Sequence, residues 1–268
     1  MSELKLRPPK SAMNTAEQKT QRDWLDMMRQ EWDARAREKA RYYIATDVPD
    51  TEEEFFASGR GDYAQHVRAF LARNGFAPSG KTALEIGCGI GRMTHVFAEE
   101  FGEVIGVDIS SEMVERAQAR RWPRTRFVVG NGEDLRGIAD ASVDFAFSFI
   151  VFQHIPEKRV ILRYVEEAGR VLRPGGLFRF HVNGLPHMDV GGAVLEGYVS
   201  HSPKLQRVQL GRMPFVRRRK LGTWLGHPVS AGDVRRACRR AGLELMEVRG
   251  RWTANMWVGG RKGLGDRG

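Results

Sequence analysis

The chain of 268 residues is 41% hydrophobic and 28% charged, ordinary figures for a globular protein and enough length for one domain with additions around a sizeable core. Its 43 Lys and Arg against 33 Asp and Glu leave a formal net charge of +10, which permits an anionic partner but equally describes a well-solvated arginine-rich surface. No apolar run approaches the ~20 residues that span a bilayer, residues 1–19 lack the apolar core of a signal peptide, and only Cys88 and Cys238 are present, so a cytoplasmic protein with no membrane partner, disulfide framework or metal is expected.

Residues 1–12 are polar with paired prolines and are expected to be poorly ordered. From Thr15 to Tyr43 a long helix is predicted, because Trp24, Leu25, Met28 and Trp32 recur at helical spacing among Arg, Glu and Ala. Its bland account is a helix packed on the body of the protein. Thr51 before Glu52, Glu53 and Glu54 predicts a capped helix start with acids in the first turn. A loop is expected at Ser58-Gly59-Arg60-Gly61, then an amphipathic helix from Gly61 to Asn74 that Gly75 stops.

The next stretch organises the chain. An apolar run, Thr82 to Ile86, ends in Gly87, Gly89 and Gly91, and an amphipathic pattern through Met93, Val96, Phe97 and Phe101 follows. That predicts a buried parallel strand, a tight turn and a helix. Glycines let the backbone approach a ligand closely, and the helix N-terminus beyond them offers free N–H groups. The spacing Gly-x-Gly-x-Gly, with Arg92 where a dinucleotide fingerprint has its third glycine, disfavours a nicotinamide or flavin cofactor. A second apolar run ends in Asp108, placed to accept the hydroxyls of a ribose.

Strands are predicted at 82–86, 103–107, 126–129, 143–149 and 176–182, and helices at 92–101, 111–120 and 157–172. This alternation implies βαβ units and a mostly parallel sheet, with a pocket at the carboxyl ends of its first strands. Residues 184–229 break the rhythm with Gly, Pro, His and the basic run Arg217-Arg218-Arg219-Lys220. A long irregular segment suits a covering element or, equally plainly, a surface excursion or an oligomer contact. Regularity returns with Ser230 as an N-cap, a helix to Ala241, and strands near 243–249 and 253–262.

Glu85-Ile86-Gly87-Cys88-Gly89-Ile90-Gly91 with Val107-Asp108 resembles the first two motifs of the class I S-adenosylmethionine-dependent methyltransferases. Residues 129–135, 143–149 and 171–176 resemble the next three, in order. The resemblance implies an α/β, doubly wound, mostly parallel seven-stranded sheet (a Rossmann-like methyltransferase fold) with N-terminal helices and an insert after the fifth strand. It implies three regions: an N-terminal helical extension or cap over 1–80, the methyltransferase domain over 81–183 and 230–262, and a substrate lid over 184–229. It implies S-adenosylmethionine as the cofactor.

Carried onto this sequence, the family pattern puts Glu85 at the cofactor's amine, Gly87 and Gly89 at its backbone cradle, and Asp108 on the ribose. Ile109 is expected at the adenine face, and Asn131, Gly132 and Glu133 at the adenine edge, Asn131 accepting through its amide oxygen. Phe149 is expected to place its carbonyl near the amine, Tyr43 to line the pocket, and Arg60 to take the carboxylate as a two-pronged donor. His154 is the candidate catalytic residue, as a base for a protonated acceptor or as a group that orders its loop. For function, the expectation is methyl transfer to the O, N or C atom of a small molecule by in-line displacement. Alternatives are an RNA or other macromolecule methyltransferase, motivated by charge, and a non-catalytic S-adenosylmethionine-binding subunit.

Overall fold

The computed structural model describes residues 15–49, 51–185, 188–190, 193–195 and 226–264. The chain begins with α1 (Thr15–Ile44), whose backbone leaves helical geometry at Lys39 (φ −155°, ψ 71°). Met28, Ala36 and Ala40 are buried, so one stripe of α1 faces the protein, while Arg37 is exposed. α2 (Glu52–Asp62) starts at a Thr51 cap whose hydroxyl accepts from the Glu54 N–H at 3.3 Å.

The loop expected at Ser58–Gly61 does not form. Helix continues through a π turn (Tyr63–Arg68) into α3 (Ala69–Arg73). Packing explains the difference: a Cβ on Gly59 would collide with the backbone carbonyl of Arg92. This glycine serves close approach rather than a turn.

β1 (Thr82–Ile86), α4 (Thr94–Glu100), β2 (Glu103–Asp108), α5 (Ser111–Ala119) and β3 (Thr125–Val129) form the first half of the doubly wound unit. β4 (Val143–Ser148), a 3-10 turn (Phe152–His154), α6 (Lys158–Val171) and β5 (Leu172–Val182) follow. β5 begins four residues before the expected start because Leu172 already pairs with Val143. Beyond it lie a short hairpin, β6 (Met188–Val190) and β7 (Ala193–Leu195), then α7 (Ala231–Arg240), β8 (Leu243–Arg249) and β9 (Met256–Lys262). Ser230 and Asp233 close a reciprocal cap at the start of α7.

Seven strands make one sheet in the order β3-β2-β1-β4-β5-β9-β8, parallel except where β9 runs antiparallel to β5 and β8. Alternation sorts its residues between two cores. Leu84, Ile86, Ala146, Phe178 and Phe180 face α6 and α7, whose buried stripes include Val160, Ile161, Tyr164, Val165 and Val234. Ala83, Phe145, Phe147 and Leu177 face the other way, onto Tyr63, Val67, Phe70, Val96 and Phe97. The π turn and α3 thus share the core of the sheet. Because β2 and β4 flank β1 on opposite sides, the connections diverge at its carboxyl end and leave a crevice there. Among the described residues, no helix is long and apolar enough to cross a membrane.

Candidate cofactor cavity

The crevice is a cavity roofed by α1. Its floor is the glycine turn. The N–H groups of Gly87 and Cys88 both donate to Val107 O, at 2.7 and 3.1 Å, which ties the turn to the end of β2. Gly87, Gly89 and Gly91 all have positive φ, at 77°, 54° and 87°, a conformation costly for other residues. Space is as restrictive as geometry: a Cβ on Gly87 would meet Val151, and one on Gly91 would meet the Trp122 ring.

Two acids stand over this floor. Asp108, at the tip of β2, accepts from Gly89 N–H (2.8 Å) through Oδ2 and from Ser110 N–H (2.9 Å) through Oδ1. Burial raises its pKa, and these backbone donors work against the rise. Glu85 is 6% exposed and its Oε2 accepts the Thr94 hydroxyl at 2.5 Å. Burial pushes its carboxyl up to about 8, while Thr94 and the Arg92 charge pull it down.

Arg92 is the cation of the cavity wall. One guanidinium nitrogen donates to Asp62 Oδ2 at 2.6 Å and Ser58 Oγ at 3.0 Å. Its buried Nε has no hydrogen-bond partner among the described residues. Sequence reasoning read Arg92 only as an absent glycine. The strand-turn-helix spacing held a usable signal, since a residue just before α4 must lie at the turn.

Of the residues expected at the site, Tyr43, Glu85, Gly87, Gly89, Asp108, Ile109, Gly132, Phe149 and His154 line the cavity. Three do not. Arg60 lies outside, forked onto Glu99 at 2.6 Å through both terminal nitrogens, with its side chain 55% exposed. The helix through Ser58–Gly61 gives it an outward position that a loop would not have fixed. Asn131 is turned into its own loop, where Oδ1 already accepts from Glu133 and Asp134 N–H, each at 3.0 Å. Glu133 pairs with Arg163 at 3.1 Å.

Met28, Trp32 and Ile44 of α1 line the cavity beside Tyr43. α1 is held there by Asp33, whose Oδ1 accepts the Ser110 hydroxyl at 2.6 Å, and by an Arg37–Glu112 pair at 2.8 Å. Trp32 stands edge-on to the buried His154 ring, with centroids 5.3 Å apart. Phe149 stacks on Trp257 at 5.2 Å on the far side. Tyr43 donates its hydroxyl to Glu38 at 3.0 Å.

A doubly wound domain with a glycine turn at its switch point and an acid at the next strand tip is a nucleoside-cofactor domain. The sequence profile described as "Methyltransferase domain" matches residues 84–180. A probable S-adenosylmethionine-dependent methyltransferase of Mycolicibacterium smegmatis is 38% identical over 37% of this chain and 37% of its own length. The 2-methyl-6-phytyl-1,4-hydroquinone methyltransferase of Synechocystis is 35% identical over 37% of this chain and 31% of its own. The magnesium protoporphyrin IX methyltransferase of Synechocystis PCC 6803, solved with S-adenosylhomocysteine bound, shares the fold with a TM-score of 0.60 at 15% identity, over 88% of this chain and 99% of that one. Residues 84–180 thus match a methyltransferase domain, and over about that stretch the chain is similar to S-adenosylmethionine-dependent methyltransferases. It spans only about a third of the length of these two curated relatives.

Proposed function

We propose that this chain transfers a methyl group from S-adenosylmethionine to a small-molecule acceptor, as a cytoplasmic enzyme. The observation that carries the reading is the buried carboxyl of Glu85, with no ion pair among the described residues, in a cavity that also holds Asp108 and Arg92. An amino acid joined to a nucleoside complements that set. Glu85 would hold its ammonium, Arg92 Nε its carboxylate, and the free lone pairs of Asp108 its ribose hydroxyls. Gly87, Gly89 and Gly132 would give backbone access, and Ile109, Met113 and Phe149 would supply apolar walls.

When bound, the cofactor supplies the methyl group and a sulfur leaving group. The chain's own task is alignment and exclusion of water. Met28, Trp32, Tyr43 and Ile44 roof the cavity, and a roof this close favours a small acceptor over a polymer. His154 closes the 3-10 turn that follows β4, buried against Trp32, and would take the proton of an acceptor that arrives protonated. The quinol acceptor named for the Synechocystis hydroquinone relative belongs to that chemical class. The cap at 1–80 and the lid at 184–229 belong to the same proposal, and most of the lid lies outside the described residues. So does the basic run Arg217 to Lys220, the motive for a nucleic-acid reading.

Purified protein with S-adenosylmethionine and a panel of phenols, carboxylates and amines, scored by S-adenosylhomocysteine release, tests the proposal. The expected result is turnover of at least one acceptor, with His154→Asn lowering kcat for protonated acceptors by roughly 10²–10⁴. S-adenosylhomocysteine binding without turnover on any acceptor, RNA included, would favour the binding-subunit reading instead.

A further inference from the structure

A second cleft adjoins the glycine turn at Ile90. It opens where α1 leaves helical geometry at Lys39, between that break and the end of α5. Its volume is about 530 Å³, and Glu38, Lys39, Arg41, Ile90, Arg116 and Arg120 line it. The size lies within the range of small-molecule sites.

Four of its five charged walls are cations. Arg120 is neutralised, with both guanidinium prongs on Glu52 at 2.6 and 2.9 Å. Glu38, the one acid, accepts the Tyr43 hydroxyl. Lys39 and Arg116 carry no ion pair among the described residues, so the charge facing the cleft is positive. Ile90 and the methyl groups of Ala40 and Ala119 give an apolar floor. Ile90 is also the residue between Gly89 and Gly91, so this cleft and the cofactor cavity share the glycine turn as a wall.

We infer that this cleft is a ligand site for a phosphoryl group carried by a small molecule. An ammonium and a guanidinium lining one cleft with an apolar floor match a compact polyanion, because the guanidinium fork fits phosphate oxygens in pairs and the ammonium adds a point charge. A lone carboxylate would satisfy only one of the two. The inference goes beyond methyl transfer and does not depend on it.

Inorganic pyrophosphate titrated into the full chain by calorimetry tests it. The expected result is saturable one-to-one binding that weakens by about tenfold or more in the Lys39→Glu, Arg116→Glu double variant. S-adenosylhomocysteine affinity in that variant should stay within about twofold of the parent, which reports an intact fold. No saturable binding by the parent chain, or equal binding by the double variant, overturns the site. A short oligouridylate that binds more tightly than pyrophosphate, and loses that binding in the double variant, overturns the small-molecule source and gives the cleft to nucleic acid.

Discussion

Burial holds the Glu85 carboxyl near a pKa of about 8, against an ordinary 4.5, so in the ligand-free protein it is neutral at pH 7. An ammonium ligand needs the carboxylate. Binding below pH 8 must therefore release a proton, and affinity for S-adenosylhomocysteine should rise with pH from about 6 to 8, by up to tenfold per unit. Glu85→Gln should flatten that slope. The same shift sets stability in the opposite sense. A folded pKa above the unfolded one stabilises fully below about 4.5, and that contribution is lost as pH rises through about 8, so the ligand-free melting temperature should fall across this window and fall less in Glu85→Gln. Arg92 makes a sharper case. Arg92→Ala should weaken S-adenosylhomocysteine by about 1.5–3 kcal/mol, the worth of a charged hydrogen bond, yet leave 5′-methylthioadenosine, which lacks the amino-acid portion, nearly unchanged. Equal losses for both ligands would assign Arg92 to the fold rather than to the ligand. Arg60→Ala should change neither, since an exposed pair such as Arg60–Glu99 contributes little. Glu85 and Asp108 were legible because a strand end fixes where its side chains go. Asn131 was not, because an amide that can accept from a ligand can equally accept from its own backbone, and sequence does not say which wins.

At the scale of elements, the strands and helices of the sheet were legible to within about four residues at their ends, since hydrophobic period and glycine stops act locally. The helix through Ser58–Gly61 was hidden, because its reason lies 30 residues and more away. Gly59 reads as a turn until the Arg92 carbonyl is seen against it. Gly59→Ala is predicted to cost stability, on the order of 1–3 kcal/mol by overpacking, despite the better helix propensity of alanine. It should also weaken S-adenosylhomocysteine, since the displaced backbone is that of Arg92. Thermal melts and calorimetry on one variant check both. A gain in stability would mean that α2 can slide away from the turn.

For the molecule as a whole, the sheet order and the two cores place the β1 and β2 walls of the cavity on doubly covered strands. The roof, α1, is held instead by a few side chains and by the Asp33 and Arg37 contacts to the start of α5. A ligand beneath Met28, Trp32 and Ile44 is enclosed only while this helix is seated, so docking of the helix and residence of the ligand share one equilibrium. This helix carries Arg29, Arg35, Arg37 and Arg41, each a cleavage point for trypsin once it lifts. Proteolysis then becomes a gauge of occupancy. Cutting within residues 29–41 should slow in step with S-adenosylhomocysteine saturation, while cutting elsewhere keeps its pace. If digestion of this segment ignores the ligand, entry does not pass beneath α1. If it follows the ligand, the arginines of this helix record, bond by bond, how long the cavity stays shut.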